Sequence, residues 1–115
     1  MKMIWAVVRS SSVEAIARGL KNIGVSGCTV YPVRGYGEEW HLYEPLIHGG
    51  HHKLEAIVED DQAAKVVKWI TEHTSTGVQG DGILCVLDLA SVVDIRSKQA
   101  AERRGSGNRT EATER

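Results

Sequence analysis

Residues 3–8, Met-Ile-Trp-Ala-Val-Val, are continuously apolar and half β-branched, a pattern that predicts a strand buried on both faces. Ser11-Ser12-Val13-Glu14 then reads as a capping box, with Ser11 as N-cap and Glu14 three residues on. Val13, Ile16, Leu20 and Ile23 repeat at helical spacing and give that helix one apolar stripe; Gly24 closes it as a C′ glycine. Residues 27–35 predict a second strand, and Pro32, which has no N–H, assigns it to a sheet edge or marks a bulge. Residues 36–52 carry no period and contain Gly37, Pro45, Gly49 and Gly50, so they read as a long loop of the functional or disordered kind.

Residues 53–58 predict a third strand. Glu59-Asp60-Asp61 start a helix at its positive end, where carboxylates are favoured, and Ala63, Val66, Val67 and Ile70 form its buried face with Trp69 flanking it. His73 sits at that helix's C-terminal end, where a positive charge is favourable. The helix fades near 75–77 into the glycine-rich turn 76–82, Thr-Gly-Val-Gln-Gly-Asp-Gly, and residues 83–87 form a fourth strand. Two split βαβ units of this length make an α+β fold, the ferredoxin-like βαββαβ plait. It has an antiparallel sheet in the order 4-1-3-2 and both helices on one face. Residues 100–115 contain no Val, Ile, Leu, Met or aromatic residue, so the domain is expected to span 1–99 with a mobile polar tail behind it.

A chain of 115 residues supports one domain, and a formal net charge of −1 excludes a strongly basic nucleic-acid binder. No apolar run approaches the ~20 residues that span a bilayer. The opening apolar stretch is too short for a signal peptide, so the expected compartment is the cytoplasm. Cys28 and Cys85 each stand alone in an apolar run and read as buried reduced thiols, with no CxxC motif for redox or zinc chemistry.

Four segments together carry a family resemblance: Ile23–Val30, Val33-Arg34-Gly35-Tyr36-Gly37, Thr76–Gly82 and Val93-Asp94-Ile95-Arg96. In this order along a βαββαβ chain they resemble the PII signal-transduction family, trimers of ferredoxin-like subunits, over residues 1–99. The resemblance implies that 36–52 is the T-loop, which engages a partner protein. It implies that 76–82 is the B-loop, which wraps nucleotide phosphates between two subunits. Successive N–H groups of a glycine-rich turn make an anion-binding concavity, which fits that role. By match, Thr29, Gly35 and Gly37 line one wall of the cleft, Gly80, Asp81 and Gly82 supply the phosphate loop, and Arg96 supplies a cationic clamp.

The departures from the family pattern concern charge. A lysine normally ends the B-loop, and Ile83 stands there; an arginine two residues before the match to Arg96 is replaced by Asp94. Charge-assisted phosphate contacts contribute on the order of 1.5–3 kcal/mol each, so ADP, AMP, another anion or an empty site is expected rather than Mg-ATP. After Gly37 the family has Arg-Gln and this chain has Glu38-Glu39; the family's partner lysine falls near His51, and its uridylylated tyrosine has no match. Neither 2-oxoglutarate sensing nor uridylylation is therefore expected.

The loop itself suggests two chemistries. Trp40, Tyr43 and Leu46 are apolar anchors suited to a partner protein or to a neighbouring subunit. His41, His48, His51 and His52 are either solvated imidazoles or ligands of a transition metal, the alternative function. No nucleophile is set beside a base and an orienting acid, so the chain reads as no enzyme. The expectation is a cytosolic homotrimeric regulator that senses an adenine nucleotide or other anion. Its client would be a membrane transporter or a metabolic enzyme, with no nucleic acid bound and no membrane insertion.

Overall fold

The structure, a computed structural model, describes residues 1–35, 50–77 and 81–101. Strand β1 (Lys2–Arg9) leads through a 3-10 turn (Ser10–Ser12) into helix α1 (Val13–Ile23). Strand β2 (Thr29–Val33), strand β3 (His51–Val58), helix α2 (Asp60–Thr74) and strand β4 (Gly82–Asp88) follow. A short hairpin of β5 (Val93–Asp94) and β6 (Gln99–Ala100) completes the described chain. The four long strands form one antiparallel sheet in the order β2-β3-β1-β4. This is the expected plait, and β2, the strand with Pro32, lies at the edge.

Strand periodicity places Ile4, Ala6 and Val8 of β1 beside Ala56, Leu54 and His52 of β3 on one face. Ile16 and Leu20 of α1 and Val66 and Ile70 of α2 cover the apolar part of that face, and Ile4, Leu54 and Val66 are fully buried. Burying each such side chain contributes roughly 1.5–3 kcal/mol. Helix α1 ends at Gly24, whose N–H reaches the carbonyls of Leu20 and Lys21. Helix α2 starts with a capping box in which the Gln62 side chain accepts from the Glu59 N–H at 2.9 Å.

The opposite face of the sheet carries Met3, Trp5 and Val7 of β1 against Leu87, Cys85 and Ile83 of β4. No helix covers it. Strand β1 is thus buried on the helix side and only partly on the other, against the expectation of burial on both faces. Cys85 is exposed on this open face, and Cys28 is exposed in the segment between α1 and β2. Neither is the buried thiol that its apolar run predicts: Cys85 lies on the sheet face away from the helices, and Cys28 precedes β2 outside the sheet.

Three further boundaries differ. Ser11 does not cap α1: the 3-10 turn already winds from Ser10, the Val13 N–H finds the Ser10 carbonyl, and no serine side chain caps the helix. Strand β3 begins at His51, because Arg9 and Val33 pair with it from both sides, so His51 and His52 belong to the sheet rather than the loop. The β5–β6 hairpin also takes in two residues of the expected tail, since Ala100 pairs with Val93 and the Ala101 N–H reaches the Val92 carbonyl at 2.8 Å. The remainder of the expected tail, 102–115, lies outside the described residues.

Candidate functional site

Helix α2 ends where the Ser75 N–H returns to the Thr71 carbonyl, and the chain then turns toward β4. The turn is held by one carboxylate. Asp81 Oδ2 accepts the N–H groups of Thr76 at 2.8 Å and Gly77 at 3.0 Å, and Oδ1 accepts the Thr76 hydroxyl. Asp81 Oδ1 also meets Arg9 Nη1 at 2.9 Å, and both side chains are more than four-fifths buried. The Thr76 hydroxyl holds the Asp81 carboxyl below the usual carboxylate range, assisted by the Thr76 and Gly77 N–H groups and by Arg9. Asp81 therefore stays an anion that closes the turn.

Gly82 delivers the chain from this turn into β4 with φ +117°, and a Cβ there would fall 2.0 Å from the Val7 carbonyl oxygen. No side chain fits, so the glycine is required by both dihedral and space. Ile83 follows on the open face opposite Val7, half exposed and without charge. Asp81, Gly82 and Ile83 border a cavity of about 240 Å³ completed by Ile70, Thr74 and Leu84.

The other matched residues are distributed over the subunit. Gly35 follows β2 at the sheet end where Val33, His51 and Arg9 lie side by side, the end that also carries Asp81. Thr29 is at the far end of β2, opposite Glu55, in a separate cavity of about 450 Å³ lined also by Gly27, Cys28, Ile57 and Gln62. Arg96 is exposed in the β5–β6 turn, and Asp94 caps that turn by accepting the Ser97 N–H at 3.2 Å. Gly37 and Gly80 lie outside the described residues, as do Trp40, Tyr43, Leu46, His41 and His48. His51 and His52 are successive strand residues and project to opposite faces. His52 Nδ1 lies 2.6 Å from the Ser10 hydroxyl. No cluster of three metal-binding side chains occurs among the described residues. Nor is any described helix long and apolar enough to cross a membrane.

Sequence reasoning missed Arg9. It stands 72 positions from Asp81, and only the β1–β4 register brings the two together. The one signal is a cation directly after the apolar run 3–8.

Comparison with known proteins agrees with this geometry. The family model for nitrogen regulatory protein P-II matches residues 1–99. The nitrogen regulatory protein P-II of Pasteurella multocida is 31% identical over 110 residues, covering 89% of this chain and 97% of that protein. Nitrogen regulatory protein GlnK of Escherichia coli is 29% identical with the same coverage. A P-II homolog of Arabidopsis thaliana is 32% identical over 87% of this chain, which spans 55% of that longer relative. With the plait, the glycine-rich turn before β4 and a family match over residues 1–99, the chain belongs to the nitrogen regulatory protein P-II family.

Proposed function

We propose that this protein is a homotrimeric regulator, not an enzyme, working in the cytoplasm. It senses an adenine nucleotide or a related anion in clefts between subunits and controls a membrane transporter or metabolic enzyme through the loop 36–50. One observation carries the reading: the matched residues stand apart within a subunit. Strands β2 and β4 are opposite edges of the sheet, three strand spacings or roughly 14 Å apart, and Thr29 lies four residues along β2 from Val33. A single subunit cannot close a site on them, whereas a neighbour placing its own edge beside the 76–82 turn can. The uncovered sheet face supports assembly, since Ile57, Ile83 and Leu87 are each 40% exposed or more.

Ile83 and Asp94 supply no cation, which favours ADP or AMP over Mg-ATP. Calorimetry with AMP, ADP and ATP, with and without Mg²⁺ and 2-oxoglutarate, tests the ligand. Weak or absent ATP binding with measurable ADP or AMP binding is the expected result. Submicromolar Mg-ATP binding with a 2-oxoglutarate response contradicts it. For the output element, Trp40→Ala with Tyr43→Ala should abolish capture of the client and leave the trimer intact. A variant that falls to monomers identifies the segment as a clasp between subunits instead.

A further inference from the structure

Three elements meet at the end of β1. Asp81 belongs to the 76–82 turn, Arg9 to β1, and Gly50–His51 to the start of β3. Arg9 is the cation that the structure places on Asp81 among the described residues, at 2.9 Å, and the same guanidinium nitrogen lies 3.3 Å from the Thr76 hydroxyl. It thus touches both ends of the turn. Its backbone is paired with His51, and the next residue, Ser10, donates its N–H to the Gly50 carbonyl at 3.0 Å. The anchor is therefore the central strand, not a mobile side of the site.

Charge makes this contact matter. The turn contributes one carboxylate, and Ile83 adds no compensating cation at its far end. An anion approaching the turn N–H groups would meet Asp81 at short range were its charge not offset locally. The carboxylate is also needed where it is, since it occupies the N–H groups of Thr76 and Gly77 that set the turn's shape.

We infer that Arg9 is the positioning residue of the anion-binding turn: through its ion pair with Asp81 and its contact with Thr76 it holds the Asp81 carboxylate on the Thr76 and Gly77 N–H groups and cancels that carboxylate's repulsion of an incoming anion. The inference rests on the proposal that 76–82 receives the phosphates, but the positioning itself is measurable without ligand. The far-UV spectrum and thermal melt of each variant serve as the folding control.

The experiment compares Arg9→Gln, Arg9→Lys and the parent protein. Amide hydrogen exchange at Thr76 and Gly77 reads positioning, and calorimetry with ADP at two salt concentrations reads anion binding. In Arg9→Gln the two amides should lose protection, and ADP affinity should fall by about tenfold, the size expected for one lost charge-assisted contact. Arg9→Lys should restore the charge and with it most of the affinity, while recovering less of the protection, because an ammonium lacks the guanidinium's planar fork. Unchanged exchange in a folded Arg9→Gln overturns the positioning role. Lost protection with unchanged ADP affinity overturns the electrostatic role. If the parent binds no nucleotide, the functional reading fails by itself, and the exchange data still decide whether Arg9 positions the turn. Should Arg9→Gln unfold, Arg9→Lys decides alone: protection and affinity both equal to the parent's would overturn the claim that the fork matters.

Discussion

The indole of Trp69 lies directly over Gly19, so that a Cβ at position 19 would fall 1.9 Å from its ring atoms. The absence of a side chain on α1 is what lets α2 lay its largest residue across the helix pair. His73, one turn on, stacks on the same ring with centroids 3.4 Å apart and bonds the Trp69 carbonyl through Nδ1. The cost is the indole N–H, which is buried without a partner among the described residues.

Gly19→Ala is therefore expected to destabilise the subunit despite better helix propensity. Overpacking costs about 1–3 kcal/mol, and Ala over Gly recovers about 1. Thermal melts should show a lower Tm for Gly19→Ala. In a Trp69→Leu background the space opens, and the same substitution should become neutral or stabilising. An equal penalty in both backgrounds would mean that the indole is not what the alanine meets.

Much of this architecture is legible in the chain, and the misses share a cause. The stripe Val13, Ile16, Leu20, Ile23 and the edge position of Pro32 are local signals, and both appear in the fold. Three successive serines offer equivalent caps, so periodicity alone does not reveal that a 3-10 turn makes a side-chain cap unnecessary. The run Ile83–Leu87 reads as buried because apolar alternation carries no information on which face the helices cover; Cys85 falls on the open one. Likewise, Gly49-Gly50 suggests a loop reaching His52, whereas strand pairing to Arg9 and Val8 claims both histidines. The Arg9–Asp81 pair is non-local and has no spacing signature at all.

The Asp81 clamp gives stability a defined pH dependence. Its carboxyl is depressed chiefly by the Thr76 hydroxyl, then by backbone N–H groups and Arg9. A group whose folded pKa lies below its unfolded value stabilises the fold above the unfolded value, ~3.9 for Asp, and loses that contribution as pH falls through the folded one. Melting temperature should therefore be level from neutrality to about pH 4 as far as this group is concerned, then fall in stronger acid. Asp81→Asn should lower Tm at pH 7 and flatten the acid limb. A parallel acid limb in the variant would show that other carboxylates set it.

The open sheet face makes a joint prediction about assembly and thiol reactivity. Leu87 pairs with Met3, and Cys85 with Trp5, on that uncovered face. If subunits assemble through this face, Leu87→Asp should leave folded monomers, seen by light scattering with an unchanged far-UV spectrum. Burying an unpaired charge in an apolar interface costs several kcal/mol, enough to shift association by orders of magnitude. Iodoacetamide should label Cys85 slowly in the parent and rapidly in the variant. Fast labelling in a parent that scatters as a trimer would place the interface elsewhere.

Restoring charge at the end of the turn is the sharpest test of the ligand reading, and two positions suggest themselves, Ile83 and Asp94. They are not equivalent. Ile83 is half exposed in the subunit at the turn end of an edge strand, so Ile83→Lys costs the subunit fold little, and light scattering checks that assembly survives the charge on this face. Asp94 accepts the Ser97 N–H, and its carbonyl takes the Lys98 N–H, so Asp94→Arg removes the side-chain cap of the β5–β6 turn. That loss costs about 0.5–1.5 kcal/mol and loosens the turn that presents Arg96. Ile83→Lys alone should therefore tighten ATP by roughly tenfold or more, the worth of one charge-assisted phosphate contact. Asp94→Arg alone should gain less, because added charge is offset by lost order. Calorimetry on both variants, with melts to register the cost at position 94, separates the contributions. If Ile83→Lys leaves ATP affinity unchanged while folding normally, the phosphates do not lie at the end of this turn.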